Sequence, residues 1–223
     1  MVNLGDIVPD FTAQSTQGEV NFHKLIDGKW TMFFSHPSDF TPVCSSELGA
    51  AAKLQPEFSQ RGVKLVALSC NDVDSHKQWV KDLEGSLSGG KKIEYPIVAD
   101  PDRTIATKYG MLDADEKDKD GRAFAARAVF IIGPDKRMKL SILYPSSTGR
   151  SFPEILRVID SLQLAAKGPV ATPADWQPGE EVMIAPSVSD EDAKKMFPDY
   201  RVIQVASGKA YVRKTKIHQD TLN

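Results

Sequence analysis

The chain has two cysteines in 223 residues, and one of them, Cys44, closes the stretch PSDFTPVC at 37–44. An apolar run precedes that stretch, and the residues around and after it predict a helix from Thr41 to Ser59. Thr41 suits the N-cap and Pro42 the first helical position, where a missing N–H costs nothing. Cys44 then falls in the first turn, whose backbone N–H groups lack intrahelical partners and favour negative charge. The chemistry on offer is that of a thiolate nucleophile. A helix end alone does not supply it. The terminus is worth roughly 0.3–1 kcal/mol, against about 2.7 kcal/mol to make the thiolate predominate at pH 7 for a thiol of ordinary pKa near 8.5. A cationic partner from elsewhere in the chain is required. The plain alternative is a small buried hydrophobe. The polar company of Ser38, Asp39, Thr41, Ser45, Ser46 and Glu47 argues against it.

The elements that must position this thiol follow from periodicity. VNFHKLI (20–26) predicts a short strand or turn, and KWTMFFSH (29–36) a buried strand. VKLVALS (63–69) reads as a central parallel strand. DSHKQWVKDLEG (74–85) predicts an amphipathic helix with Trp79, Val80 and Leu83 on one side and Gly85 as its stop. A loop (85–92), a strand PIVAD (96–100) and a helix DRTIATKYG (102–110) follow. DADEKDKDG (113–121) has alternating charge and no apolar side, which predicts an exposed loop, and its residues do not meet the glycine and glutamate positions of a calcium loop. RAVFIIGPDKRMKLSILYP (127–145) is a hairpin. SFPEILRVIDSLQLAAK (151–167) is a helix with Ser151 as N-cap and Ile155, Leu156, Ile159, Leu162 and Leu164 as its apolar positions. Pro56 is expected to kink or end the helix that contains it.

Beyond 167 the chain turns proline-rich, which predicts a boundary and two segments, 1–167 and 168–223. The second holds one short helix, SDEDAKKMFP, and two strands around SGK at 207–209. The order of elements implies an α/β protein of the thioredoxin-like arrangement, a mixed central sheet flanked by helices, with a small C-terminal extension.

Composition narrows the class further. With 28 basic and 30 acidic residues the chain has no cationic excess for nucleic acid or an anionic membrane. No apolar run approaches a transmembrane span, and the N-terminus lacks the features of a secretory signal. Two cysteines fit a reducing, cytoplasmic setting. The histidines, His23, His36, His76 and His218, show no metal-ligand spacing, and no metal or other cofactor is expected.

The segment SHPSDFTPVCSSELG resembles the active-site segment of peroxiredoxins, whose Pro-x-x-x-Thr-x-x-Cys pattern is met by Pro37, Thr41 and Cys44. DPDR, RAVFIIGPDK, KLSILYPSSTGR, VATPADW and DEDAKKMFP resemble the one-cysteine peroxiredoxins along the whole chain. The resemblance implies a thiol peroxidase acting on hydrogen peroxide and on alkyl, including lipid, hydroperoxides. Cys44 would be the peroxidatic nucleophile, cycling through a sulfenic acid. Thr41 would hydrogen-bond the thiolate and peroxide, and Pro37 would limit access to the sulfenic acid. Arg127 would be the missing cation, held by Glu47 and Arg150, with His36 near the pocket. Cys70 reads as a structural strand-end residue rather than a resolving cysteine. The reductant is then an external thiol: glutathione, in some members delivered by a glutathione transferase, with thioredoxin or ascorbate as alternatives. A homodimer with the extension at its interface is implied as well. The rival reading is a peroxide sensor or holdase chaperone switched by Cys44 oxidation. Some one-cysteine members also hydrolyse phospholipids through a Gly-x-Ser-x-Gly serine. His23 and Asp135 stand at the places of its partners, but Lys29 stands at the serine's, so that activity is expected to be absent.

Overall fold

The computed structural model describes residues 2–217. The chain forms two compact units that divide between Phe152 and Pro153. The first begins with a hairpin, β1 (Thr12–Ser15) and β2 (Gly18–Asn21). A one-turn helix, α1 (Phe22–Leu25), follows where a strand or turn was equally expected, because the Asn21 side chain caps the Lys24 N–H. β3 (Trp30–Ser35) and β4 (Val63–Ser69) are the parallel centre of the sheet, buried along nearly their whole length.

Between them runs α2 (Pro42–Gln60), with Thr41 at its N-cap. Pro56 does not end this helix. Proline cannot bond the carbonyl one turn back, but Gln55 Nε2 reaches that Ala52 oxygen at 3.4 Å. α3 (Val73–Asp82) starts at Asp72, whose carboxylate accepts from Ser75 N at 2.8 Å. It does not stop at Gly85 but widens into a π-turn over Leu83–Leu87. Gly49 of α2 permits this, since a Cβ there would lie 2.7 Å from Leu87 O.

β5 (Ile97–Ala99) extends the parallel set, and α4 (Thr104–Tyr109) ends at Gly110 in the left-handed region. β6 (Leu112–Lys117) and β7 (Ala123–Ala125) make a two-stranded ribbon. This corrects the expectation of a loop over 113–121: the ribbon is mostly exposed, so no alternation marks it, while Asp118 turns the chain by accepting from Asp120 N and Arg122 N. β8 (Arg127–Ile132) and β9 (Met138–Tyr144) form the predicted hairpin. The sheet order is β2-β1-β5-β4-β3-β8-β9, parallel at its centre and antiparallel outside. This is the mixed sheet of a thioredoxin-like fold. Phe11, Phe22, Phe33 and Tyr109 pack ring against ring at 4.6–6.3 Å on one side of it.

The second unit takes α5 (Phe152–Lys167) from its second residue on, so the division falls at the start of this helix and not after it, where the composition changes. Phe152, Ile155, Val158 and Ile159 are its buried residues, while Leu156, Leu162 and Leu164 are half-buried. β10 (Val170–Ala171), β11 (Val182–Ile184), β12 (Arg201–Val202) and β13 (Arg213–Thr215) form an antiparallel sheet in the order β10-β11-β13-β12. β12 and β13 are the expected pair. β10 and β11 are additional, too short to show a period among the prolines. α6 (Asp190–Met196) starts at Ser189, which accepts from Asp192 N at 3.0 Å. Trp176, Val182, Ile184 and Phe197 form this unit's core. His218 and the end of the extension lie outside the described residues.

Candidate active site

β3 and β8 run antiparallel, so the carboxyl end of β3 opens beside the first residue of β8. Ser35 continues the seam: its hydroxyl donates to Ala126 O at 2.7 Å and accepts from Ala128 N at 3.2 Å. Arg127 therefore emerges next to the loop that carries the chain from β3 into α2. Its Nη1 donates to Cys44 Sγ at 3.2 Å and to Glu47 Oε2 at 2.7 Å. Nε and Nη2 both donate to Ser146 O, at 3.1 and 2.6 Å. The guanidinium is thus anchored on two sides and presents a full positive charge to a sulfur that is 0% exposed. Here is the cation that the helix end required.

Glu47, one turn beyond Cys44, joins two arginines. Arg150 meets it through Nε at 3.0 Å, Nη2 at 2.7 Å and its backbone N at 2.8 Å. Arg150 Nη1 also donates to Ser35 O at 2.7 Å and Ala128 O at 3.1 Å, and its guanidinium lies 5.1 Å from the centre of the Phe34 ring. Burial alone would raise the Glu47 carboxyl, but Arg150 and then Arg127 hold it below the ordinary carboxylate range. Two of the polar neighbours that argued against a buried cysteine, Asp39 and Glu47, are themselves buried, as are Arg127 and Arg150. A buried charge persists only when paired and hydrogen-bonded, and this cluster meets that condition.

Thr41 takes the N-cap position with extended backbone, but its hydroxyl donates to Ser38 O at 2.9 Å instead of accepting from the helix. Phe40, just before it, is 53% exposed with φ of 54°. A bulky residue in the left-handed region costs of order 1–3 kcal/mol and persists only where its surroundings fix it. Pro37 is buried and walls a cleft together with Cys70, Asn71, Arg103 and Phe124.

His36 is fully buried, and burial pushes its pKa below the usual value. Its Nε2 meets Asp39 Oδ1 at 2.8 Å. Nδ1 is the one buried side-chain nitrogen or oxygen among the described residues with no hydrogen-bond partner. Asp39 Oδ2 accepts from Ser75 Oγ and meets His76 Nδ1, both at 2.7 Å. Burial would raise the Asp39 carboxyl, yet the hydrogen bonds from His36 and His76 hold it well below the carboxylate range. The histidine spacing gave no hint of a cluster, but His36, Asp39 and His76 bring their donor atoms within 4.8 Å of one another. The carboxylate takes up one nitrogen of each ring. The His36–Asp39 spacing could have signalled the first contact. Ser75 and His76 arrive only because α3 packs beside the loop.

Cys70 follows β4 and is half-buried, with burial pushing its thiol up to about 11. His23 Nε2 lies 2.7 Å from Val8 O, while Asp135 accepts from Lys139 Nζ at 2.6 Å and Arg137 N at 3.2 Å.

Residues 4–141 match the AhpC/TSA family, and residues 161–199 match the C-terminal domain of 1-Cys peroxiredoxin. Peroxiredoxin-6 of Gallus gallus is 55% identical, over 95% of this chain and 96% of its own. 1-Cys peroxiredoxin of Medicago truncatula is 48% identical, over 97% and 99%. Among solved structures, peroxiredoxin 6 of Arenicola marina superposes with a TM-score of 0.96 at 53% identity, covering 99% of this chain and 100% of that one. A yeast mitochondrial 1-Cys peroxiredoxin gives 0.89 at 43%, covering 97% and 100%; its thiol is described as resolved via glutathione/thioredoxin systems.

Proposed function

The chain belongs to the AhpC/TSA family, in its one-cysteine peroxiredoxin branch, and from that premise we propose how its residues divide the work of a thiol peroxidase. The observation that carries the assignment is the Arg127 guanidinium, 3.2 Å from Cys44 Sγ. The Cys44 thiolate attacks the terminal oxygen of the hydroperoxide. The S–O bond forms as the O–O bond breaks, and the departing oxygen leaves as water or an alcohol after taking a proton. Sulfur becomes a sulfenic acid. Arg127 stabilises the thiolate and the charge growing on the leaving oxygen, an electrostatic contribution of the kind that dominates many active sites. Glu47 and Arg150 keep that guanidinium in place. Thr41 turns its hydroxyl from Ser38 toward the incoming peroxide, Pro37 restricts approach to the oxidised sulfur, and His36 completes the polar wall.

An external thiol condenses with the sulfenic acid, losing water, and a second thiol frees the cysteine. Glutathione, alone or delivered by a glutathione transferase, is the reductant we favour over thioredoxin; the yeast relative is described with both the glutathione and the thioredoxin systems. Hydrogen peroxide and organic hydroperoxides, lipid ones included, are the substrates, and the role is antioxidant defence in the cytoplasm. No helix among the described residues is long and apolar enough to cross a membrane. A homodimer is the proposed assembly, with segment 168–223 at its interface. β9 supports pairing of some kind, as an edge strand with Leu143 55% exposed. Lys29 cannot form an acyl-serine, so no phospholipase activity of that type is assigned.

The test is the mass of the protein after one equivalent of hydrogen peroxide with a sulfenic-acid trap present, timed by rapid mixing. Fast trapping lost in Cys44→Ser and retained in Cys70→Ser is expected. Slow labelling, or a Cys44–Cys70 disulfide, would overturn the assignment.

A further inference from the structure

Of the three nitrogens with which Arg127 donates, Nε and Nη2 both end on Ser146 O, while Nη1 serves Cys44 Sγ and Glu47. That carbonyl lies in segment 145–149, between β9 and Arg150, where every residue except Ser146 is exposed. A local turn, Thr148 N to Pro145 O at 3.1 Å, shapes the segment without fastening it to anything else. Among the described residues, the only hydrogen bond that a side chain of 145–149 makes to another element is Ser146 Oγ donating to Glu116 Oε1 at 2.7 Å.

Glu116 is an exposed residue of β6, in the two-stranded ribbon. The ribbon is held at both ends despite its exposure. At its base Leu112 pairs with Ala125, and Ala126 N donates to Met111 O at 2.7 Å. Its far end is clamped by Arg103, whose Nε donates to Ala123 O and Nη2 to Asp118 Oδ2, both at 2.7 Å. β7 then runs through Ala126 into Arg127. The ribbon thus fixes the backbone of that arginine directly and the acceptor of its guanidinium through Ser146.

We propose that Glu116 and Ser146 are positioning residues for the peroxide reaction: their hydrogen bond fixes the carbonyl that aims the Arg127 guanidinium at Cys44. This rests on Cys44 being the reacting thiol. Neither residue touches the sulfur. A guanidinium is a planar fork, so moving the acceptor of two of its nitrogens turns the third. With Ser146 O released, Arg127 pivots on Glu47, and Nη1 leaves the sulfur while the ion pair survives. The charge stays in the pocket but no longer faces the atoms where negative charge develops, and electrostatic stabilisation depends on that placement.

The experiment reads two quantities in the full chain. One is the stopped-flow rate of Cys44 oxidation by hydrogen peroxide. The other is hydrogen exchange of the Arg127 Nε–H by NMR, its signal identified by absence in Arg127→Lys. Ser146→Ala and Glu116→Ala should each slow oxidation about three- to tenfold, the range of one net hydrogen bond, and speed Nε–H exchange by a similar factor. Their melting temperatures should match the wild type, since the bond is exposed. The double variant should be no slower than the slower single one, because both changes remove the same bond. Glu116→Gln keeps an oxygen for the Ser146 hydroxyl, and Ser146→Thr keeps the hydroxyl; both should stay within about twofold of wild type. Asp115→Ala removes a neighbouring charge without touching the bond and should do the same. Unchanged Nε–H exchange in both alanine variants would overturn the proposal, as would losses that multiply in the double variant. Equal slowing by Glu116→Gln or Asp115→Ala would overturn it too, by assigning the effect to charge instead of the bond. If wild-type Cys44 is not oxidised, the cysteine assignment falls and the kinetic role with it, and Nε–H exchange decides the positioning alone.

Discussion

Cys44 and Cys70 occupy related places, each just beyond the carboxyl end of one of two adjacent parallel strands, and they meet opposite fates. Cys70 follows β4 directly, is the more exposed of the two, and has its thiol pushed up to about 11 by burial, with Arg103 only partly offsetting this. Cys44 is reached through the loop after β3, is wholly buried, and has a guanidinium 3.2 Å from its sulfur. Accessibility therefore does not rank these thiols. What separates them is a cation fixed by its own partners before any substrate arrives.

The sharpest way to break that contrast is to exchange each sulfur. Cys44→Ser should reduce peroxide turnover with glutathione to background, read as consumption of hydrogen peroxide. Next comes the cation. Arg127→Gln should slow the oxidation of Cys44 in stopped flow by about 10²–10³-fold, the usual cost of losing one electrostatic stabiliser. Arg127→Lys should restore only part of this, because an ammonium cannot serve Glu47, Ser146 and the sulfur as a planar fork does. A normal rate in Arg127→Gln would mean that the helix end suffices after all.

Glu47→Gln leaves two buried arginines without their shared anion and should cost about 3–5 kcal/mol in urea unfolding, a dependence Cys70 does not share. Acid offers a milder probe. Asp39 and Glu47 are both held below the ordinary carboxylate range when folded, so the unfolded chain binds their protons more tightly. Their contribution is whole above about pH 5 and fades as pH falls through about 4 and below. The melting temperature of the wild type should drop across that window more steeply than that of Asp39→Asn. The smallest effect expected is that of Cys70→Ser, within about twofold of wild-type turnover; a larger loss would give the second thiol a role.

Much of this was legible in the chain. Thr41 and Pro42 announce where α2 begins, which puts Cys44 in its first turn, and the weakness of a helix end demands a cation. Which arginine supplies it was not derivable from spacing, since Arg127 reaches Cys44 through the pairing of β3 with β8; the likeness of its segment to peroxiredoxins pointed to it. Asp39 and His76 escaped notice because their contact depends on how α3 lies against the loop. The β6–β7 ribbon escaped for another reason: backbone pairing leaves no side-chain period when both faces are wet. Pro56 misled, because a neighbouring glutamine serves the carbonyl that proline abandons.

The buried quartet of Cys44, Glu47, Arg127 and Arg150 also has a charge state that follows the reaction. With the sulfur ionised, two anions face two cations and the pocket is neutral. Once the sulfur is a neutral sulfenic acid, one guanidinium charge is uncompensated. In the proposed cycle the sulfenic acid leaves that charge open to an anion, so a reductant that arrives as a thiolate is drawn in by a potential that the thiolate form of Cys44 does not display.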